Sequence, residues 1–404
     1  MSKINSKIIQ GNKFNNFSLT EMVSEFLATN YNFDFKNEYT ILPGFCDVHV
    51  HFREPGFSYK ETIKSGSLSS ARGGFTSVCT MPNLNPVPDT LENLNVQLDM
   101  IFNNSCVNIY PYGSITKGLR GEELSDMKDL APFVVAFTDD GKGVQNDNLI
   151  ENAIKLAKSL DKITVCHCEV NALLNGGYIH DGEYARRNNH KGICSASEYL
   201  EVERDIKIAE KLGAKLHICH VSTKESVDII RKAKQRGVDV TAETAPHYLI
   251  LDDSDLIDSG DYKMNPPLRA KDDKIALING IIDGTIDIIA TDHAPHSKEE
   301  KSKGLKGSVF GVVGLETAFP LLYTNFVKTR VLTMDKLLDL LVYNARVRFN
   351  IPYSGFSVWD LNTEYVIDSN EFLSMGKSCP FNGLKVYGKN LLTVINNQVI
   401  YKNI

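Results

Sequence analysis

From residue 44 onward, short apolar, β-branched runs alternate with stretches whose apolar residues recur at three- and four-residue spacing. The strand-like runs are Phe45 to His51, Phe75 to Thr80, Val107 to Tyr110, Phe133 to Thr138, Ile163 to Cys168, Leu216 to Val221, Val238 to Ala242 and Ile286 to Thr291. Helical spacing covers Glu61 to Arg72, Asn148 to Leu160, Ser197 to Leu212, Lys224 to Arg236 and Asp273 to Ile282. Gly213 and Gly237 follow two of these as helix-ending residues. Strand and helix in alternation imply a parallel sheet. Eight repeats predict an α/β fold of the closed (β/α)8 TIM-barrel type, with a doubly wound open sheet as the competing architecture.

The two ends of the chain read differently. Lys7 to Gln10 and Glu38 to Leu42 have strand character, and Leu19 to Ala28 has helical spacing. After two helical patterns, Leu315 to Phe326 and Lys336 to Val347, short strands are expected at Ser357 to Trp359, Glu364 to Ile367, Gly383 to Tyr387 and Leu391 to Ile395, around Asn and Gly turns. The predicted organisation is therefore a barrel over 43–347. Residues 1–42 and 348–404 join as a small β-rich appendage that brings the chain ends together.

Composition narrows the class. The chain has 404 residues, of which 42% are hydrophobic and 23% charged, with a formal net charge of −6. That balance suits a globular protein with a large core and gives no electrostatic reason to expect nucleic acid or an anionic membrane as partner. No apolar run reaches the roughly 18 residues needed to span a bilayer, and the polar start of the chain lacks a signal-peptide core, so a cytoplasmic location is expected. The eight cysteines are scattered, several of them inside strand-like runs, where free cysteine behaves as a small hydrophobe rather than as part of a disulfide framework.

The chemistry lies at the strand ends. On a regular strand His49 and His51 share a face while Cys46, Val48 and Val50 take the other, giving half a metal site; alone, such a pair reads equally well as two surface histidines. A barrel supplies context, because its site sits where the strands end. There Asp140, His167, His220 and Asp292 join the first two. His217, three residues before His220, is expected to face the opposite side, and Cys166 and Cys168 to face the surrounding helices. Either Asp139 or Asp140 can be the ligand, the other capping a turn. Imidazoles with carboxylates suit Zn²⁺ and similar ions, one or two of them, and two such ions can activate water and polarise a carbonyl. Hydrolysis of an amide-like bond, or its reverse, is the implied reaction, with Asp292 carrying the proton from water to the departing nitrogen.

The ordered motifs Asp47-Val48-His49-Val50-His51-Phe52-Arg53-Glu54-Pro55-Gly56, Thr80-Met81-Pro82-Asn83, Thr138-Asp139-Asp140-Gly141, Cys166-His167-Cys168-Glu169, His220-Val221-Ser222, Met264-Asn265-Pro266-Pro267-Leu268-Arg269 and Thr291-Asp292-His293-Ala294-Pro295-His296 resemble those of the class I, bacterial-type dihydroorotases of the amidohydrolase superfamily. The likeness runs from about residue 41 to 347. It implies zinc-dependent, reversible cyclisation of N-carbamoyl-L-aspartate to L-dihydroorotate in de novo pyrimidine (UMP) biosynthesis. It further implies that His49 and His51 hold one zinc, His167 and His220 another, Asp140 the bridging place, and that Asp292 is both ligand and general acid/base. Arg53, Asn83 and His296 would hold the substrate carboxylate, beside His51, and Asn265 with the backbone at Phe310 and Gly311 would contact the ring. A homodimer, and association with an aspartate carbamoyltransferase, are the macromolecular partners it suggests.

One position separates close relatives. Dihydropyrimidinases and allantoinases bridge their metals with a carboxylated lysine before a glycine; here Asp140 precedes Gly141, and Lys142 is expected to face elsewhere. A hydantoinase- or allantoinase-like cyclic amidohydrolase is the alternative enzyme, opposed by the carboxylate-binding set Arg53, Asn83 and His296. A non-catalytic scaffold partner of aspartate carbamoyltransferase is the alternative outside enzymes, opposed by the retention of all six ligands. The departures from the family lie at the two ends, where the appendage is expected to be trimmed or differently built. The lysine- and glycine-rich stretch from Ser297 to Gly314 reads as a solvated, mobile loop that carries Phe310 and Gly311.

Overall fold

The computed structural model of the chain describes residues 7–10, 18–30 and 39–403. Its strands are β1 (Lys7–Ile8), β2 (Tyr39–Pro43), β3 (Phe45–Val50), β4 (Phe75–Thr80), β5 (Asn108–Pro111), β6 (Phe137–Thr138), β7 (Thr164–Cys166), β8 (Leu216–Ile218), β9 (Val240–Thr244), β10 (Ile288–Ile289), β11 (Phe356–Val366), β12 (Lys385–Ile395) and β13 (Gln398–Lys402), besides a short parallel pair at 179–180 and 192–193. Each of the eight runs expected to form strands between residues 45 and 291 overlaps one, β5 and β9 running one and two residues past their expected ends. Glu38, expected at the start of β2, lies outside the described residues.

Strands β3, β4 and β5 pair in parallel, as do β6 to β10 in sequence order. Two parallel bridges join these sheets at both seams, Gly113 to Phe137 and Val50 to His293. Asp47 secures the second seam from within: its carboxylate accepts from Thr291 Oγ1 at 2.6 Å and from the backbone N–H of His49 at 3.0 Å. Buried side chains form two layers. Cys46, Val48, Cys79, Met81, Val165, Cys219 and Ile288 pack together with Phe349 at the end of the last helix and Ile351 just beyond it. Phe45, Val78, Phe137, Cys166, Ile218 and Ala242 pack instead against the apolar faces of helices such as Asp147–Ser159 and Ala196–Leu212.

That division corrects strict alternation on β3. Cys46 and Val48 belong to the enclosed layer, the same side to which His49 and His51 bring their rings, because the register against β4 slips between Asp47 and Val50. A bulge inserts one residue and re-aims the side chains beyond it.

A second sheet has the order β1-β2-β11-β12-β13, with β1 parallel to β2 and the rest antiparallel. Helix α1 (Leu19–Thr29) starts where Ser18 Oγ accepts from Glu21 N, and its Leu19, Val23 and Phe26 pack on Ile41, Phe356, Val358 and Leu392 of this sheet. The four short strands expected here are two long ones, β11 and β12, each crossing its expected gap; the pairing of β11 is irregular on either side of Trp359–Asp360. Strand β13 is an addition to the expected set. It follows Asn396 and Asn397, both at positive φ (50° and 60°), the backbone of a tight two-residue hairpin.

The stretch 297–314 is more ordered than its composition suggests. It contains the helical turns Lys298–Lys301 and Gly304–Gly307, a reciprocal Ser297–Glu300 cap, and the buried residues Lys301 and Leu305. Among the described residues no helix is long and apolar enough to cross a membrane.

Candidate metal centre

His49 closes β3 from below, and the other ligand candidates sit on the residues that leave their strands: His51 after β3, Asp140 after β6, His167 after β7, His220 after β8 and Asp292 after β10. All six are buried. His220 and Asp292 hold positive φ (33° and 48°), a strained backbone for residues other than glycine, which costs on the order of 1–3 kcal/mol each and turns both side chains toward the others. This turn corrects the expectation for β8: His217 and His220 do not face opposite sides. His217 Nε2 lies 3.1 Å from Glu243, whose other oxygen holds His49 at 2.6 Å, and the His220 ring lies 5.1 Å from the His49 ring, so both imidazoles meet His49 inside the barrel sheet.

The donor atoms converge on Asp140. His49 Nε2 and His51 Nε2 lie 3.4 and 3.5 Å from its carboxylate, and His167 Nδ1 and His220 Nε2 lie 3.6 and 3.7 Å from it. Asp292 Oδ1 is 3.1 Å from His51 Nε2 and 3.4 Å from His49 Nε2. Two ligand triads result, His49 with His51 and Asp140, and His167 with His220 and Asp140, sharing the aspartate. The choice between neighbours is settled by geometry: Asp139 accepts from the backbone N–H groups of Ile115 and Thr116 at 2.8 and 3.0 Å, so it caps a turn and leaves Asp140 to the cluster. Lys142 is exposed, and Cys168 Sγ lies 3.8 Å from Asp205 on the helix outside, both as expected. All eight cysteines are free.

The hydrogen bonds set the tautomers. His49 Nδ1 donates to Glu243 Oε1 at 2.6 Å, and His51 Nδ1 to Asn83 Oδ1 at 2.9 Å, so both Nε2 lone pairs turn inward. His49 Nε2 and Asp140 Oδ1 are buried without a hydrogen-bond partner. Lone pairs gathered this way repel one another, and a divalent cation is the group that relieves them. The Asp140 carboxyl calls for the same positive charge: burial would raise it, but charge at His49 and hydrogen bonds from His167 and His220 outweigh burial and hold the group well below the usual carboxylate range. The residues present therefore fit a metal.

A cavity of about 190 Å³ opens over the cluster. Arg53, Asn83, Asn265, His296, Phe310 and Gly311 line it along with His51, Asp140, His167, His220 and Asp292; His49 lies beneath. Asn83 turns its oxygen to His51, which leaves its amide N–H groups for a ligand. Asn265 does the reverse: its Nδ2 donates to Glu169 Oε1 at 3.0 Å, while its buried Oδ1 has no partner among the described residues and can accept an N–H. Glu243, Glu169 and Asp47 are the contributors not anticipated. Glu243 lies one residue past the expected end of its strand; for Glu169 the signal is a carboxylate two residues beyond a candidate ligand. A groove of about 860 Å³ at Phe133, Lys162, Lys215 and Val347 contains no such convergence of ligating side chains.

The backbone matches the L-hydantoinase (dihydropyrimidinase) from Arthrobacter aurescens with a TM-score of 0.79 at 22% identity, over 90% of this chain and 85% of that one. The D-hydantoinase from a Thermus species matches at 0.78 and 21%, over 98% and 94%. The fold is thus that of the hydantoinase-type amidohydrolases, here built around a site composed for a metal ion. A dihydro-orotase-like family model matches residues 39–226. The dihydroorotase of Fusobacterium nucleatum is 46% identical across 98% of this chain and 97% of its own length, and that of Shouchella clausii 48% identical across 90% and 87%. The chain belongs to the dihydroorotase family of metal-dependent amidohydrolases.

Proposed function

We propose that the chain catalyses the reversible cyclisation of N-carbamoyl-L-aspartate to L-dihydroorotate, a ring-closing step of pyrimidine biosynthesis. The observation that carries this reading is the meeting of Arg53, Asn83 and His296 with the histidine–aspartate cluster in one cavity, a carboxylate-binding set beside a metal site. A cyclic ureide without a carboxylate would leave those donors unused. His49 and His51 would hold one Zn²⁺, His167 and His220 a second where two are bound, with Asp140 between them and Asp292 completing the set. Bound there, the metal supplies activation of water and polarisation of the ring carbonyl.

The protein's own groups do the rest. The Arg53 guanidinium and the His296 ring are 3.2 Å apart, so one carboxylate can accept from both, and Asn83 adds an amide donor. Asn265 Oδ1 accepts from a ring N–H, and Phe310 and Gly311 close over the ring. Asp292 takes a proton from the attacking water on its carboxylate and delivers it to the ring nitrogen as the carbon–nitrogen bond breaks; in cyclisation the proton returns by the same route.

The architecture we infer with this reading is a (β/α)8 barrel over residues 43–347, with β1, β2, α1 and β11 to β13 as a small β-rich appendage. Purified, metal-analysed protein assayed for ring opening of L-dihydroorotate and for its re-formation tests the assignment. Folded, metal-loaded protein inert in both directions rejects it.

A further inference from the structure

His296 is 8% exposed and has a cation on each side of its ring. Arg53 Nη2 lies 3.2 Å from Nε2, and Lys60 Nζ lies 3.3 Å from Nδ1. Burial, then the charges of Arg53 and Lys60, press the imidazole far below its usual range, so the ring is neutral and carries one proton. Where that proton sits decides what the ring can do. With the proton on Nδ1, His296 donates to Glu300 Oε2, 3.5 Å away, and Nε2 accepts from Arg53. The ring then offers nothing to a carboxylate and occupies one of the Arg53 donors. With the proton on Nε2, Nδ1 must accept, and among the described residues Lys60 is the donor placed to give to it.

We propose that Lys60 is a positioning residue for the substrate: by donating to Nδ1 of His296 it holds the ring's proton on Nε2, so that His296 and Arg53 face the cavity as two convergent donors. This rests on the reading of Arg53 and His296 as the carboxylate site. Lys60 is built for the task. Its Nζ pairs with Glu300 Oε1 at 2.9 Å, and Glu300 also accepts from Tyr59 Oη at 3.2 Å and from the backbone N–H of Ser297 at 3.0 Å. The lysine thereby offsets the charge of the carboxylate that would otherwise draw the Nδ1 proton, while the Ser297 N–H holds the oxygen nearer the ring. Before substrate arrives, the Nε2–H and the Arg53 N–H are donors held together with no acceptor between them; a carboxylate satisfies both at once.

The test compares the metal-loaded wild type with Lys60→Met and Lys60→Arg. Two-dimensional ¹⁵N NMR of the histidine side chains, with the His296 signals assigned by their loss in His296→Gln, reads which nitrogen is protonated. The expected result is protonation at Nε2 in the wild type and Lys60→Arg, and at Nδ1 in Lys60→Met. Losing one charge-assisted donor to the carboxylate should raise KM for L-dihydroorotate roughly tenfold to a hundredfold in Lys60→Met, with kcat little changed and with Lys60→Arg close to wild type. A Lys60→Met protein whose His296 keeps its proton on Nε2 overturns the proposal, as does a shifted proton with an unchanged KM. Wild-type protein that does not open L-dihydroorotate instead overturns the assigned reaction, and the tautomer comparison then decides the role of Lys60 alone.

Discussion

Glu243 Oε1 stands 2.6 Å from Nδ1 of His49, and its other oxygen stands 3.1 Å from Nε2 of His217. One carboxylate at the end of β9 thus fixes the ring of a candidate ligand on β3. Partners of this kind set both the tautomer and the basicity of a metal-binding imidazole, and their loss costs roughly 10–100-fold in metal affinity. Glu243→Ala is expected to lower zinc affinity by about that factor, measured by chelator competition on protein whose fold is checked by circular dichroism. Glu243→Gln should lose less, because its carbonyl can still accept from His49 while His217 carries its proton on Nδ1, toward Thr241 Oγ1, and accepts the amide N–H on Nε2. Equal affinities for all three proteins would remove Glu243 from the site.

Asp292→Asn keeps the size of the side chain and removes its ability to carry a proton. Turnover should fall by roughly 10²–10⁴, the usual worth of a positioned general base, while metal content falls less. Metal analysis and steady-state assays on the same preparation separate the two effects. Retention of most activity would reassign the proton carrier.

Arg53→Lys keeps the charge and loses the planar fork. The Arg53 side chain is anchored by Nε donating to the carbonyl of Pro295 at 3.2 Å, which leaves the terminal nitrogens for the substrate. KM for L-dihydroorotate should rise about tenfold or more with a smaller change in kcat. An unchanged KM would place the substrate carboxylate elsewhere.

Lys301 makes the stretch 297–314 sensitive to pH. Its buried Nζ donates to the carbonyls of Lys263 and Val309 at 3.0 and 2.9 Å, and burial pushes its pKa down from 10.5 to about 7. Between those values the unfolded chain binds more protons than the folded one, so stability rises with pH across this window; below about pH 7 both states are charged and the penalty is complete. Thermal melts of the wild type and Lys301→Met, run from pH 6 to pH 9, should show the wild type gaining on the variant as pH increases. Parallel curves would contradict a buried, depressed lysine.

Much of the fold and the site is legible in the chain, and the exceptions share a cause. The period-two pattern locates the strands, and the six candidate ligands are readable because each stands at or just past a strand end. Local breakage of the period is not readable. The slip on β3 between Asp47 and Val50 and the positive φ at His220 both arise from tertiary constraints that leave no mark on an apolar–polar string. Glu243 looks like a residue leaving a strand until His49 and His217 are seen on either side of it. The Asn396-Asn397 hairpin has a signal, two residues tolerant of left-handed backbone after an apolar run, but the pattern beyond it is too short to announce a second strand.

The seam where β3 meets the segment after β10 has a bearing on how the protein is made. Asp47 and Thr291, which hold that seam, are 244 residues apart in the chain, and Asp292 meets His51 across 241. A nascent chain that has emerged only as far as β9 already carries His49, His51, Asp140, His167 and His220. It lacks the strand that closes the ring and the carboxylate that joins the cluster. Closure of that seam and completion of the candidate ligand set therefore wait on residues synthesised long after the first of these histidines has left the ribosome.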